Sequence, residues 1–306
     1  MISSYWNKGF SLQKSTRYFT IFSAKYSSGT KLFFENIHRG LIRVSGDEVH
    51  EFLQGLITND ISHINNTSNR DNAMFTMFLN KQGRVLYDTI IYRQRNEKTS
   101  CIIECDRTIE EQLKQHLLHF RFRKNINIDI ITQEMNIWAC FQDFHDLHRN
   151  TKNNFQVTHQ HEYWKLGAII CSDPRLQLGL RIITPKYLQI PDFQHINDDR
   201  KCVLPNTSYN YKKLRYIHGI SEGIVAYLDN LTSQMLDCSN YDEPILNEKD
   251  QIIGKLKGIQ DEFGIGLLKI DLALSSKHLK IGSLNASTYR PTWWPQKKKL
   301  KYVLLL

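Results

Sequence analysis

Two apolar stretches flank a short polar turn, and together they constrain the fold more than any other part of the chain. Residues 73–79 and 85–93 are rich in β-branched and aromatic side chains, and Asn80-Lys81-Gln82-Gly83 separates them. Such residue types favour strands, and glycine accepts the positive φ that tight hairpin turns need. The sequence therefore predicts a β-hairpin here.

A helix is predicted just before the hairpin. Ser45 and Glu48 form the pattern of a capping box, in which each side chain bonds to a free backbone N–H at the start of a helix. Apolar residues then recur at helical spacing, namely Val49, Phe52, Leu53, Leu56 and Ile57. Because Asn59-Asp60 supplies a stop signal, an amphipathic helix that faces the core is expected.

The rest of the chain is predicted to be mostly strands. After the hairpin, a strand, a helix carrying Leu113 and Leu117, and another strand complete the order β-β-β-α-β. A further helix ends at Gly219, and the polar stretch 142–163 predicts a surface insertion. Short strands that fit a small barrel follow at 244–246, 252–259, 263–270 and 279–284.

The composition is that of a multi-domain protein with an ample core. The chain has 306 residues, of which 41% are hydrophobic, and this length suggests roughly two domains. Its apolar runs fall far short of the roughly 20 residues that a bilayer requires, so no membrane insertion is expected. The six cysteines are scattered through a chain too large to need disulfides, which indicates a reducing compartment.

The first 34 residues have the composition of a mitochondrial transit peptide. They carry five lysine or arginine residues, no acidic residue, and many serines and threonines. A disordered basic tail is the alternative. Removing these five charges from the formal net charge of +9 leaves +4. Nucleic-acid binding is not expected, because the lysines at 297–299 and 301 lack aromatic interleaving or a groove-binding motif.

Several motifs, taken together and in order, resemble a known superfamily. They include the segments from Phe52 to Asp60 and from Leu79 to Asp88, then Asp173-Pro174-Arg175, Leu214-Arg215-Tyr216 and Trp293-Trp294-Pro295. This series resembles the folate-binding YgfZ/GcvT superfamily, and more narrowly its mitochondrial iron–sulfur cluster assembly branch, whose members are also labelled transferases. The motifs cover most of residues 38 to 296.

The resemblance implies a fold and a domain division. The expected fold class is α+β, with several domains arranged around a central cavity and a small β-barrel at the C-terminal end. A transit peptide over 1–34 is followed by an α+β folate-binding-like domain over 35–132. A second α+β domain over 133–236, incomplete after 223, precedes the barrel over 237–306.

The resemblance also implies a function. The chain is expected to act in the mitochondrial matrix in the maturation of [4Fe-4S] cluster proteins, with tetrahydrofolate as cofactor. Its expected partners are A-type iron–sulfur carrier proteins and [4Fe-4S] client enzymes. Two alternatives stay open, a folate-dependent aminomethyltransferase of the glycine-cleavage type and a noncatalytic scaffold for cluster carriers.

Five residues are candidate folate contacts. A carboxylate can bind a pterin edge in a concave, mostly apolar pocket, which favours Asp88, with Asn80 and Arg84 on the neighbouring turn. Arg215, with Tyr216, is a candidate for the glutamate tail or an aromatic face of the ligand, and Arg175 is a candidate for a side chain that points into the cavity. Each also has a plain structural interpretation. Asp88 would be a strand-end carboxylate, and Asn80 and Arg84 would be turn residues. Arg175 would be an arginine in a β-turn, and Arg215 a cation on a helix surface.

Neither a metal site nor a catalytic residue is predicted. The pairs His145/His148 and His159/His161 lie in the polar insertion without a cysteine or carboxylate at ligand spacing. Cys101 and Cys105 share one face of a strand and lack a neighbour that would lower a thiol pKa, so they are expected in the core.

One expected motif is missing from the sequence. The resembled branch carries a Lys-Gly-Cys-Tyr-x-Gly-Gln-Glu segment after the Glu222-Gly223 position, and this chain has none; Cys238 lies in a different context. An incomplete gene model and true loss both explain this, and the abrupt junction favours the first. Aminomethyl transfer is disfavoured, because Ile217 and Tyr87 stand where the T-protein resemblance places carboxylates.

Overall fold

The computed structural model describes residues 32–65, 72–94, 99–142, 167–175, 179–188, 202–203, 210–220, 242–260 and 263–288. Elements in the first half are β1 (Leu32–Asn36), β2 (Arg39–Ser45), α1 (Val49–Gln54), α2 (Ser62–Asn65), β3 (Ala73–Leu79), β4 (Val85–Arg93), β5 (Ser100–Asp106), α3 (Glu110–Arg121), β6 (Asn127–Ile130) and β7 (Met135–Gln142). They are followed by β8 (Ile169–Ser172), β9 (Leu180–Pro185), β10 (Cys202–Val203), α4 (Tyr211–Ile217), β11 (Pro244–Leu246), β12 (Ile252–Gln260), β13 (Phe263–Leu268), α5 (Ile270–Ser275), β14 (Leu279–Ile281) and β15 (Leu284–Ala286). None of the helices in these ranges has the length and apolar character needed to cross a membrane.

The first sheet has the strand order β3-β4-β5-β2-β6 and contains the predicted hairpin. β3 and β4 pair antiparallel, with Met74 opposite Ile91, and Gly83 adopts a φ of 75° in the turn. The side-chain oxygen of Asn80 accepts hydrogen bonds from the backbone N–H groups of Gln82 and Arg84, at 3.0 and 2.9 Å. The hairpin prediction and its order β-β-β-α-β with the following elements are confirmed.

The predicted capping box does not form. Ser45 is the last residue of β2, where it pairs with Ser100, and α1 begins only at Val49. Glu48 occupies the N-cap position without a side-chain capping bond, and its carboxylate instead accepts from Lys124 Nζ at 2.7 Å. The capping-box prediction is wrong because Ser45 pairs with Ser100 in the sheet and lies four residues before the start of the helix.

The two faces of the first sheet pack against different partners. On one face, α1 and α3 bury a core that includes Leu53, Phe78 and Leu117. The opposite face packs Leu41, Ile90 and other apolar residues against Ile137 and further residues of the second sheet. The first sheet is therefore covered on both sides, by helices and by another sheet.

The second sheet has the strand order β10-β1-β7-β9-β8, and its β1 comes from a distant part of the chain. β1 runs antiparallel to β7 and parallel to β10, and Phe33 and Phe34 are buried. Residues 32–34 therefore belong to a sheet, although composition assigned them to the leader. The boundary predicted at residue 35 also falls inside this strand, whose partners lie in the predicted second domain. Residues 1–31 lie outside the described residues.

The third sheet, with the order β13-β12-β11-β14-β15, contains the C-terminal strands. β11 has the predicted bounds, whereas the stretch 263–270 ends as a strand at Leu268 and continues into α5. The stretch 279–284, predicted as one strand, is a hairpin of β14 and β15 that turns at Gly282, with a φ of 56°. Short strands and turns alternate as the spacing predicted.

The third sheet contacts α4 at a glycine. A methyl group on Gly258 of β12 would lie 2.4 Å from the Tyr216 hydroxyl oxygen, so the tyrosine fits only because residue 258 has no side chain.

Gly258→Ala is expected to lower the free energy of unfolding by about 1–3 kcal/mol, as overpacking at a contact does. Urea titration followed by tyrosine and tryptophan fluorescence would measure it.

Gly55→Ala is the matched control for this substitution. Gly55 has a φ of −69°, and a methyl group there would meet nothing closer than 3.6 Å. This variant is expected to unfold at the wild-type urea concentration or slightly above it. Equal midpoints for Gly258→Ala and Gly55→Ala would contradict the close packing at Tyr216.

Candidate functional site

Two charged residues lie in the middle of apolar strands and are completely buried. Glu104 on β5 and Arg181 on β9 each have 0% exposure. Because side chains alternate along a strand, Glu104 faces the same way as its cross-strand neighbours Leu41 and Ile90, towards the second sheet. Arg181 approaches from that second sheet, so the two meet between the layers.

The Glu104 carboxylate accepts hydrogen bonds from two side chains and forms an ion pair with a third. Arg39 Nε donates at 3.0 Å and Tyr92 Oη at 2.5 Å, and Arg181 Nη2 lies at 3.4 Å. Arg39, Tyr92 and Glu104 come from three strands of the first sheet. The buried carboxylate is thus compensated by charge and by hydrogen bonds, as a buried charge requires.

A second buried carboxylate, Asp173, extends this arrangement to α4. Arg181 Nε donates to it at 3.1 Å, Arg175 Nη2 at 2.7 Å and Tyr211 Oη at 2.7 Å. The guanidinium carbon of Arg181 also lies 4.8 Å from the centroid of the Tyr211 ring. We call these residues the Glu104–Asp173 network, comprising Arg39, Tyr92, Glu104, Asp173, Arg175, Arg181 and Tyr211.

Local sequence positions α4 against this network. The Asn210 side chain caps the helix by accepting from the Lys213 N–H at 2.7 Å. Glu35 of β1 accepts from the N–H of Tyr211 at 2.6 Å, which satisfies another free donor at the helix start. The tyrosine is therefore held through its backbone as well as its hydroxyl.

The Asp173 carboxylate keeps its charge at neutral pH, and the Tyr92 hydroxyl keeps its proton. Burial alone would raise the pKa of Asp173, but the guanidinium groups of Arg175 and Arg181 outweigh it and hold that pKa well below the usual range. Burial, reinforced by Glu104, raises the pKa of Tyr92 well above its ordinary value. Asp173 is therefore ionised near neutral pH and carries no proton that it could donate.

Two of the predicted site residues lie in or beside this network. Arg175 belongs to the turn predicted at Asp173-Pro174-Arg175, where Asp173 Oδ1 accepts from the Arg175 N–H at 3.0 Å. Arg175 Nη2 also donates to Tyr211 Oη at 2.5 Å. Arg215 is buried on α4, with its guanidinium carbon 5.7 Å from the Tyr211 ring centroid. Tyr211 therefore connects the two arginines.

The other three predicted site residues lie along the hairpin. Asn80 and Arg84 are in the turn, and the Arg84 side chain is exposed. Asp88 is buried on β4, two residues before Ile90, and so faces the second sheet like Glu104. At about 3.3 Å per residue, the turn is roughly 20 Å along the strand from the level of Glu104. Asp88 is thus the only one of these three on the buried face.

Sequence analysis did not select Glu104, Arg39, Arg181 or Tyr211 as site residues. A signal was present, because Glu104 and Arg181 are single charges inside apolar strands, at positions whose alternation points to the core. A buried charge requires a partner of opposite sign. The need for a buried partner of opposite charge therefore suggests, from the sequence, an ion pair between Glu104 and Arg181.

The expectation that Cys101 and Cys105 lie in the core is confirmed, whereas the predicted histidine pairs lie outside the described residues. Cys101 and Cys105 are buried, and burial raises the pKa of Cys101 to about 12. Among the residues that the structure describes, no group of three or more His, Cys, Asp or Glu side chains could hold a metal ion. The histidine pairs at 145/148 and 159/161 fall outside those residues, as does the segment 221–241 where the signature motif is missing.

Comparison with known proteins finds similarity to one domain family and to a group of mitochondrial proteins. Residues 233–296 match the family model for the CAF17 C-terminal beta-barrel domain. The iron–sulfur cluster assembly factor IBA57 homolog of Pyricularia oryzae is 30% identical over 189 residues, and human IBA57 is 26% identical over 197 residues. The chain is similar to these IBA57-type iron–sulfur cluster assembly factors over about 60% of its length. The predicted fold class, α+β with a small C-terminal β-barrel, is confirmed as well.

The match to the IBA57-type relatives is partial in length. It covers 60% and 61% of this chain for the Pyricularia and human proteins, and 42% and 50% of those proteins. The chain thus spans no more than half the length of these curated relatives, both of which are named as mitochondrial. The crystal structure of glycine cleavage system aminomethyltransferase T from Bartonella henselae matches with a TM-score of 0.49 and 13% identity, covering 90% of this chain and 84% of that chain.

Proposed function

We propose that this chain is a mitochondrial matrix factor that supports the maturation of [4Fe-4S] proteins together with tetrahydrofolate. The observation that carries the proposal is the homology to IBA57-type assembly factors over about 60% of the chain. The motif order and the basic, acid-free N-terminus support the same assignment. A-type cluster carriers and [4Fe-4S] client enzymes are the proposed partners.

The proposed ligand contacts are the five residues predicted from the sequence, of which Asp88 lies on the buried face of the first sheet. Asp88 would accept bonds from the pterin edge, and Arg215 with the neighbouring Tyr211 ring would receive the glutamate tail. Arg175 would orient Tyr211 through its bond to the phenol oxygen. Asn80 shapes the adjoining turn, which presents Arg84. Folate, when bound, would supply a one-carbon unit or hold a reactive group.

The cellular test is depletion of the protein. Mitochondrial [4Fe-4S] enzymes such as aconitase are expected to lose activity, while [2Fe-2S] proteins keep theirs. Re-expression of the wild-type chain should restore aconitase. Normal activity of both classes after depletion would exclude the proposal.

The folate test uses the purified chain and tetrahydrofolate in calorimetry. Asp88→Asn is expected to weaken binding about tenfold or more, because a charged acceptor contributes about 1.5–3 kcal/mol. Asp129→Asn, on the exposed face of β6, is the matched control and should bind as wild type.

Carrier binding that is unaffected by folate would favour the scaffold alternative. Release of formaldehyde equivalents would favour the transferase.

A further inference from the structure

One large apolar side chain next to the helical layer faces solvent. Phe122 directly follows the last residue of α3, and its exposed fraction is 81%. Phe120, two residues earlier, packs against the core that α1 and α3 form on the first sheet. Burial therefore accounts for Phe120 but not for Phe122.

The backbone at Phe122 adopts a conformation that phenylalanine disfavours. Its φ is 46° and its ψ is −121°, and the N–H of Lys124 donates to the carbonyl oxygen of Arg121 at 3.0 Å. These values are those of the first central position of a type II′ turn, which glycine normally occupies. A side chain there costs about 1–3 kcal/mol. Folding by itself would favour glycine at residue 122.

The turn is held in place from both ends. Arg121 Nη1 donates to the carbonyl oxygen of Ile126 at 3.2 Å. Lys124 Nζ donates to Glu48 Oε1 and Glu51 Oε1 at 2.7 and 3.2 Å. The phenyl ring is therefore presented on a fixed backbone, so a partner that binds it loses little entropy in ordering the turn.

We propose that the Phe122 turn, Arg121–Lys124, is a protein-docking surface whose anchor is Phe122. The partner it fits is a folded protein with an apolar pocket for the ring and carboxylates at the rim. Arg123 is exposed beside the ring and is placed to pair with such a carboxylate. Aromatic and arginine side chains are the types that carry most binding energy at protein interfaces.

The surrounding charges favour a protein over a lipid surface. The carboxylates of Glu48 and Glu51 lie next to the turn and compensate Lys124. They would be repelled by an anionic membrane, and one aromatic ring offers little apolar area for insertion. A protein rim can place a carboxylate opposite Arg123 and a basic group opposite Glu48 and Glu51. This inference does not depend on the function proposed above.

The first experiment locates the partner. The photoreactive amino acid p-benzoylphenylalanine replaces Phe122 in the full chain, expressed in its own cells, and Leu284 as the control, since Leu284 is 57% exposed on the third sheet. Cross-linking from position 122, but not from position 284, to one protein with acidic residues in the linked peptide is expected. Cross-links confined to this chain, to a second copy or to lipid would overturn the proposal, as would their absence.

The second experiment measures binding between the purified full chain and the purified cross-linked protein. Phe122→Ser is expected to weaken the Kd about 30-fold, the size of an interface hot spot. Arg123→Gln is expected to weaken it several-fold and to reduce its salt dependence. Leu284→Ser should leave it unchanged. An unchanged Kd for Phe122→Ser overturns the proposal.

A stability measurement separates docking from folding. Phe122→Gly should raise the Tm by about 2–4 °C, because glycine relieves the turn, while binding is lost. A lower Tm for Phe122→Gly would show that the phenylalanine serves the fold, and would overturn the proposal.

Discussion

Glu104→Ala is expected to lower the free energy of unfolding by about 3–5 kcal/mol, because it leaves buried guanidinium groups without their carboxylate. Arg39 and Arg181 both contact Glu104 from within the protein, and the exposed fractions of their side chains are 5% and 0%. Tyr92 would also lose the acceptor of its buried hydroxyl. Chemical unfolding monitored by circular dichroism measures the change.

Two further variants define what the carboxylate contributes. Glu104→Gln keeps the shape and one acceptor, so its loss of stability should be smaller than that of alanine but still exceed 1 kcal/mol. Glu111→Ala, on the exposed side of α3, is the matched control and should change stability by less than about 0.5 kcal/mol. A loss for Glu104→Ala no larger than that of Glu111→Ala would contradict the central role of the network.

Asp173→Asn is expected to destabilise the protein by a similar amount, about 3–5 kcal/mol at neutral pH. Its carboxylate is shared by Arg175, Arg181 and Tyr211, which come from the turn, β9 and α4. An amide compensates neither guanidinium charge. Because α4 also contacts β12, the variant should loosen the third sheet too, which hydrogen exchange of its amides would detect.

The effect of Asp173→Asn depends on pH in a defined direction. The folded-state pKa of Asp173 lies below its unfolded value, so its stabilisation is complete above that unfolded value of about 4 and declines as the pH falls further. The difference in unfolding free energy between wild type and variant should therefore narrow from about pH 4 downwards. A difference that widens on acidification would contradict the sign.

Local patterns predicted the elements whose signals lie within a few residues of one another. The hairpin of β3 and β4, the helix α3 and the helix α4 up to Gly219 all follow from periodicity and turn chemistry. The capping box at Ser45 was wrong, although its pattern is equally local, because the residue is committed to pairing with Ser100. Local signals fail where a distant strand competes for the same backbone.

The candidate site was predicted only in part. Arg175 and Arg215 were selected, and they meet at Tyr211. The carboxylates that hold this region together, Glu104 and Asp173, are 69 positions apart in the sequence and were not paired. Spacing along the chain carries no information about this arrangement, because Glu104 lies in the first sheet, Asp173 lies in the turn after β8, and Arg181 bridges them. Whether the region binds folate remains a prediction.

The sequence by itself determined the α+β fold class and much of the order of strands and helices, because β-propensity, turn signals and helical periodicity depend on neighbouring residues. Only the tertiary structure showed that β1 joins the second sheet beside β7 and β10. It also decided that buried charged groups and the Tyr211 hydroxyl of α4 meet in one network, and that Phe122 faces solvent. Each of these depends on long-range packing, in which burial and charge compensation are settled by residues that are distant in sequence.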